Sequence, residues 1–232
     1  MSVVKIQDIS VPHKGNLVTV GTYDGVHIGH QEIMKKLQDE GEDGKRYALS
    51  FFPHPASVVY GRKVPLITSV EERKTLVRQW GVELVVVRFT SAIANMSPER
   101  FVKNVLLKFS PSRVIVGFNH RFGKGGRGTP EILAKLGEKY GFDVEVQEPV
   151  LVGGKPVSSS RVRSALAVGK VEEASELLGR HYSVEFVVIE GEGRGKELGF
   201  PTANLCPVVE EKIIPPKGVY AVEVEFDGKH RV

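Results

Sequence analysis

The stretch GTYDGVHIGH, residues 21 to 30, sets two histidines three positions apart behind a glycine-rich turn. If a helix begins here, His27 and His30 lie one turn apart and present both rings from the same face. The amino terminus of a helix carries unpaired N–H groups and a partial positive charge. A site built that way takes anions such as a triphosphate. Gly21 ends the apolar run before it, Gly25 permits a tight turn, and Gly29 lets backbone come close to a ligand. Two imidazoles there can donate hydrogen bonds to phosphate oxygens as charge builds during group transfer. Surface histidines, or a metal pair completed by distant ligands, are the plain alternatives. The flanking glycines and the strand-turn-helix context favour the phosphate reading.

Three further stretches carry suitable chemistry. SFFPHP (50 to 55) holds His54 between two prolines, where a stiff loop with a solvated histidine is the simpler reading. VGFNHRFGKGGRG (116 to 128) gathers Asn119, Arg121 and Arg127 among glycines, or is a surface loop. SSSRVR (158 to 163) offers hydroxyls and guanidiniums at an expected helix start, which suits an oxyanion or is an ordinary cap with a basic turn. Cys206, the single cysteine, allows no internal disulfide and fits a reducing compartment. It reads as a minor residue rather than a nucleophile.

These residues need a scaffold, and the chain supplies one. Its 232 residues, 41% of them hydrophobic, suffice for one large domain or two smaller ones. No apolar run approaches the roughly 20 residues that span a bilayer, and the start, MSVVKIQDIS, lacks the pattern of a secretory signal. A cytoplasmic protein without a membrane partner is expected. The net charge of +4 suits anionic small molecules, and no long Lys/Arg tract points to nucleic acid. No feature specifies an oligomeric state.

NLVTV (16 to 20), rich in β-branched residues, and short runs at 46 to 52, 83 to 89, 113 to 117 and 142 to 147 read as strands. Helical patterns at 28 to 40, 69 to 80, 97 to 109 and 129 to 140 alternate with them, and two short helices follow at 158 to 169 and 171 to 179. Ser69 and Glu72 form a capping-box pattern, and Ser97-Pro98 is a cap followed by an N1 proline. The alternation predicts an α/β fold, a parallel sheet covered on both faces. In such sheets ligands bind beyond the carboxyl ends of the strands, where residues 21 to 30, 53 to 55 and 117 to 128 fall. After 182 the texture becomes all-β, with strands expected near 182 to 191 and at 218 to 226. Asp227-Gly228 is a hairpin signal with only residues 229 to 232 after it. The expected organisation is a first domain over 1 to 181 and a second, incomplete one over 182 to 232.

GTYDGVHIGH resembles the signature of the HxGH nucleotidylyltransferases, which implies a Rossmann-like sheet. With SFFPHP, VGFNHRFGKGGRG and SSSRVR in that order, the chain resembles the adenylyltransferase domain of bacterial bifunctional riboflavin kinase/FMN adenylyltransferases. GEGRGKELGFPTANL (191 to 205) is similar to the opening of that family's riboflavin kinase domain, a small β-barrel. The resemblance implies adenylyl transfer from ATP to FMN, giving FAD and pyrophosphate, and phosphorylation of riboflavin in the complete protein. It implies Mg²⁺ as cofactor and ATP, FMN and riboflavin as partners.

The resemblance also assigns roles. His27, His30 and Asn119 are implied as catalytic. Gly21, Tyr23, His27, Gly29, His30, Ser159, Ser160 and Arg163 are implied at ATP, the last three on its β- and γ-phosphates. His54, Asn119 and Arg121 are implied at the flavin, and Asp24 in shaping the turn. Gly191, Gly193 and Gly195 are implied as the kinase nucleotide loop, with Thr202 and Asn204 supporting the metal. Tyr23 stands where the family often has Phe, and His120 where another aromatic is usual. The family's catalytic glutamate in a later kinase strand has no counterpart here, since Glu223 and Glu225 precede the turn. Kinase activity is therefore expected to be absent from these residues. Other readings are an HxGH enzyme with a different phosphate acceptor, a flavin- or nucleotide-binding module without turnover, and, weakest, a nucleic-acid binder.

Overall fold

Side chains alternate across a strand, and the first strand, β1 (Asn16–Val20), is buried on both faces. The computed structural model describes residues 3–9, 11, 14–39, 44–190, 199, 202–226 and 229–231. It places β1 at the centre of a five-stranded sheet with β2 (Arg46–Phe52), β3 (Glu83–Arg88), β4 (Pro111–Gly117) and β5 (Asp143–Gln147). The order is β3-β2-β1-β4-β5, and every pairing is parallel.

The alternation separates two cores. Leu17, Ala48 and Ile115 face α1 (Ile28–Asp39) and α3 (Val70–Arg78), packing with Ile33, Met34, Leu37, Val70 and Val77. Val18, Val20, Leu49, Phe51, Val114 and Val116 face the other way, onto α5 (Pro98–Asn104) and α6 (Pro130–Tyr140). A third cluster joins Ile67 to α7 (Ser159–Ala167) and α8 (Val171–Leu178). The chain runs outward from β1 to β2 and β3, then returns to β4 on β1's other side. The carboxyl ends of β1 and β4 thus form the switch point where such sheets bind ligands.

The expected caps are present. Ser69 and Glu72 complete the capping box, Glu72 Oε2 accepting from Ser69 N–H at 2.6 Å and Ser69 Oγ from Glu72 N–H at 3.1 Å. Ser97, Thr129 and Ser158 also cap their helices. The expected helix at 97 to 109 is divided, α5 ending at Asn104 and a 3₁₀ turn covering Leu106–Phe109. The chain must reverse into β4, and a residue before proline disfavours helix; Ser110, before Pro111, sits at φ +46°. The freed Phe109 carbonyl accepts from the buried Asn16 amide at 2.7 Å. Two short helices, α2 (Pro55–Tyr60) and α4 (Ser91–Ala94), and a hairpin of β6 (Leu151–Val152) with β7 (Lys155–Pro156) add to the expected elements.

In the tail, β8 (Phe186–Ile189) pairs antiparallel with β9 (Asn204–Pro207), and β10 (Val224–Phe226) with β11 (Lys229–Arg231). The strand expected over 218 to 226 is corrected to Val224–Phe226. Extended residues become a strand only when a neighbour takes their hydrogen bonds, and among the described residues 218–223 have no such ladder. Phe186, Val187, Val188, Ile189 and Leu205 are exposed, unlike the strands of the main sheet.

Amide hydrogen exchange should reflect this difference in burial. Protection is expected to be greatest in β1, β2 and β4, with β8, β9 and β10 opening sooner. Equally slow exchange in both sets would contradict the expectation.

Candidate active site

The turn after β1 is held in a conformation that the chain would not choose alone. Gly21 N–H donates to the Leu49 carbonyl at 3.0 Å and closes the ladder. Tyr23, Gly25 and Val26 then have φ of +49°, +89° and +40°. For Tyr and the β-branched Val this left-handed region is strained, by roughly 1–3 kcal/mol each. The turn persists because other elements grip it. Thr22 O accepts from Ser50 Oγ and Arg73 Nη1, both at 2.8 Å. Asp24 O accepts from Ser159 Oγ at 2.8 Å, and Gly25 O from Arg180 Nη2 at 2.7 Å. Val26 O accepts from Gln31 Nε2 at 2.9 Å and Arg180 Nη1 at 3.2 Å. Gly21 leaves room for the Tyr23 ring, since a Cβ there would lie 2.9 Å from a ring carbon.

The Asp24 carboxylate, wholly buried, is the hub. It accepts from Thr68 N–H at 2.9 Å, Thr68 Oγ1 at 3.0 Å and Ile67 N–H at 3.1 Å. Arg163 Nη2 lies 2.6 Å from its Oδ2, and Arg73 Nη2 3.4 Å from its Oδ1. Burial alone would raise the Asp24 pKa, but the two guanidiniums and the two N–H groups hold it below the ordinary carboxylate value. With one carboxylate against two guanidiniums, the cluster keeps a net positive charge.

His27 and His30 stack above this turn, ring centroids 3.6 Å apart and planes inclined by 16°. Tyr23 meets His30 edge-on at 5.0 Å. His27 Nδ1 accepts from His30 N–H at 3.3 Å, which assigns the His27 proton to Nε2. Burial lowers the His27 pKa to about 4. Burial, then the His27 and Arg73 charges, take His30 well below the usual imidazole value. His30 Nδ1 is buried and has no partner. The pair is therefore neutral near pH 7, and can donate N–H groups to an arriving polyanion at the α1 amino terminus. Gly29 keeps this end open, since a Cβ there would press on the His27 ring at 3.3 Å.

The other expected residues are distributed around this centre. Ser159 ties α7 to the Asp24 carbonyl, while Ser160 is exposed at the first turn. Arg163 Nε donates to Pro65 O at 2.9 Å, so its guanidinium links α7, the Asp24 turn and the loop before α3. Arg161 instead holds the β6–β7 hairpin through the Val152, Lys155 and Pro156 carbonyls. His54 caps α2 by accepting from Ala56 N–H at 3.2 Å; burial lowers its pKa to about 4, with Arg163 adding to the effect. It lines a cleft of about 310 Å³ with Phe52, Pro53, Ser57, Arg62 and Leu66. Asn119 follows β4, exposed, close to Gly117, which also neighbours Ile33 of α1. Asn119 and the histidines therefore flank the same switch point. Arg121 is exposed on a loop closed by mutual backbone hydrogen bonds between Phe122 and Gly128. His120 stacks on Phe122 with centroids 5.6 Å apart. Gly191, Gly193 and Gly195 lie outside the described residues; Thr202 and Asn204 are exposed in the tail, Asn204 opening β9 opposite Ile189.

Sequence reasoning did not find Arg73, Thr68, Arg180 or Gln31. Arg73 did leave a signal, because it falls between Val70 and Val77 on the apolar face of α3, where a guanidinium needs a buried partner.

Two measurements check this electrostatic account. His27 takes a proton near pH 6.5 when unfolded but only near pH 4 when folded. Between these values the unfolded chain binds more protons, so stability falls as pH falls. From pH 7 to 5, urea unfolding of the wild type should lose about 2 kcal/mol more than that of His27→Asn. Parallel pH profiles would refute the depressed pKa. Asp24→Asn leaves Arg73 buried beside a neutral group and should cost about 3–5 kcal/mol by the same method. A loss below about 1 kcal/mol, the scale of a surface pair, would show that the carboxylate is not the hub.

Similarity to known proteins follows the same two regions. The sequence profile of the FAD synthetase family matches residues 10–161, and that of riboflavin kinase matches residues 178–232. The bifunctional riboflavin kinase/FMN adenylyltransferase of Listeria monocytogenes is 37% identical over 218 residues, covering 92% of this chain and 69% of that protein. Those of Bacillus subtilis and Escherichia coli K12 are 36% and 35% identical, again over 92% of this chain and 69% of the relative. A crystal structure from Streptococcus pneumoniae, titled a macrolide-efflux protein, superposes with a TM-score of 0.88 at 27% identity, covering 97% of this chain and 74% of that one. With both profiles matched in order and a third or more of residues shared with these relatives, the chain belongs to the family of bifunctional riboflavin kinase/FMN adenylyltransferases.

Proposed function

We propose that the carboxyl edge of the sheet joins FMN to the adenylyl group of ATP. An FMN phosphate oxygen attacks the α-phosphorus, the bond from that phosphorus to the α,β-bridging oxygen breaks, and pyrophosphate leaves with that electron pair. The attacking phosphate is already ionised, so no side chain must remove a proton. Catalysis then rests on positioning and on donors aimed where charge develops. The observation that carries this reading is the stacked, neutral His27–His30 pair at the α1 amino terminus, backed by Asp24, Arg73 and Arg163.

In this reading His27 and His30 donate to the α-phosphate region and the departing oxygen. Gly21, Tyr23 and Gly29 shape their approach. Ser160 and the free N–H groups of Arg163 meet the β- and γ-phosphates, with Ser159 holding α7 in place. His54, Asn119 and Arg121 lie on the flavin side, across the switch point. The family relation supports Mg²⁺ as the cofactor. Among the described residues no three His, Cys, Asp or Glu side chains gather as a metal site, and the Asp24 carboxylate is already engaged. A magnesium ion carried on the nucleotide phosphates would neutralise part of their charge.

For riboflavin phosphorylation, residues 178–232 match the corresponding profile. Thr202 and Asn204 offer the hard oxygen atoms that suit Mg²⁺, which keeps several waters, and Gly191, Gly193 and Gly195 would form the nucleotide loop. We place the boundary between the two domains near 182, just inside the riboflavin kinase match that begins at residue 178. Among the described residues no helix is long and apolar enough to cross a membrane; a cytoplasmic setting and small-molecule partners fit the reaction.

The test is FAD and pyrophosphate formation from FMN, ATP and Mg²⁺. The wild type should form both in equal amounts. His30→Asn and His30→Ala, checked for folding by circular dichroism, should lose on the order of a hundredfold in kcat. A wild type that binds both substrates without releasing pyrophosphate would overturn the proposal, and folded variants with unchanged kcat would remove His30 from the mechanism.

A further inference from the structure

A short strap from the tail lies against the loop that holds Asp24. Leu66 N–H donates to Glu211 O at 2.8 Å and Ile213 N–H to Leu66 O at 2.9 Å, a parallel bridge centred on Leu66 and Lys212. The Tyr182 hydroxyl donates to Ile213 O at 2.6 Å, and Ile213 is buried with Ile67 and the helices α7 and α8. The strap falls within the region matched by the riboflavin kinase profile. Its anchor, Leu66, directly precedes the Ile67 and Thr68 amides that hold Asp24.

Lys212 is the polar end of this contact. Its side chain is 4% exposed and its ammonium pairs with Glu72 Oε1. It lies 5.4 Å from the centroid of the Tyr182 ring. Glu72 is committed twice, since its other oxygen closes the capping box with Ser69 N–H. Residues on either side of that box, Thr68 and Arg73, bind the Asp24 carboxylate. A buried ion pair is poor value as simple stabilisation, because desolvation offsets its attraction. What it does supply is direction, in that one geometry of Glu72 satisfies both Ser69 and Lys212.

We propose that Lys212 is a positioning residue for adenylyl transfer. Through Glu72 it sets the first turn of α3 and the loop before it, and these hold Asp24 and hence the turn that carries His27 and His30. A residue of the kinase-matched region thereby tunes the adenylyltransferase site within one chain. The inference rests on the adenylyl-transfer reading above.

The experiment uses the full chain with Lys212→Met, which keeps the apolar stem, and Lys212→Arg, which restores the charge. Lys212→Met should lower kcat for FAD formation roughly tenfold or more through misplaced donors, with KM for FMN little changed. The ring ¹⁵N–¹H signals of His27 and His30 should move in this variant, and Lys212→Arg should recover most of both effects. Wild-type kcat with unmoved histidine signals, whatever the melting temperature, would overturn the proposal and leave Lys212 a brace. If Lys212→Met does not fold, Glu72→Gln breaks the same link from the other side, and unmoved histidine signals there overturn it equally. If the wild type forms no FAD while the histidine signals still move, the reaction assignment fails and the positional link stands.

Discussion

A single carboxylate with no exposure to solvent sets the terms for this site. Taking Asp24 out of water costs several kcal/mol unless its charge and lone pairs are met. Here they are met by Arg73, Arg163, the Ile67 and Thr68 amides and the Thr68 hydroxyl. Those partners come from α3, α7 and the loop between α2 and α3. Satisfying one buried charge therefore fastens three parts of the chain to the turn after β1. The same fastening sustains left-handed backbone at Tyr23 and Val26.

The hub also determines the chemistry above it. Two guanidiniums against one carboxylate leave a positive field, and the α1 amino terminus adds to it. In that field, and largely removed from water, the stacked histidines are held neutral near pH 7. A neutral imidazole keeps a donor N–H without two cations repelling each other in a 3.6 Å stack. For the adenylyl transfer we propose, donors already fixed in place before the phosphate binds are what electrostatic preorganisation requires.

The two matched regions are unequal in burial yet joined. The main sheet is covered on both faces, whereas β8 and β9 leave apolar side chains exposed. The strap around Lys212 departs from this contrast, because Lys212 and Ile213 are buried against the first region. The contact falls on the loop that serves Asp24, so the joint between the regions is also part of the support for the site.

Much of this was legible in the residues. Helix caps, the capping box of Ser69 and Glu72, the alternation of strands and helices, and the clustering of His27, His54 and Asn119 beyond strand ends all follow from local spacing and composition. So did the family, through GTYDGVHIGH and the tail motif. The division of the 97 to 109 helix and the short form of the 218 to 226 strand did not, because each depends on what the segment packs against. Nor did the partners of Asp24, which lie 43 to 139 positions away in the chain. Periodicity and capping act over a few residues and can be read along a sequence. Charge pairing acts through space, and only the order of strands in the sheet decides that Arg73, Arg163 and the loop at 67 to 68 converge on one carboxylate.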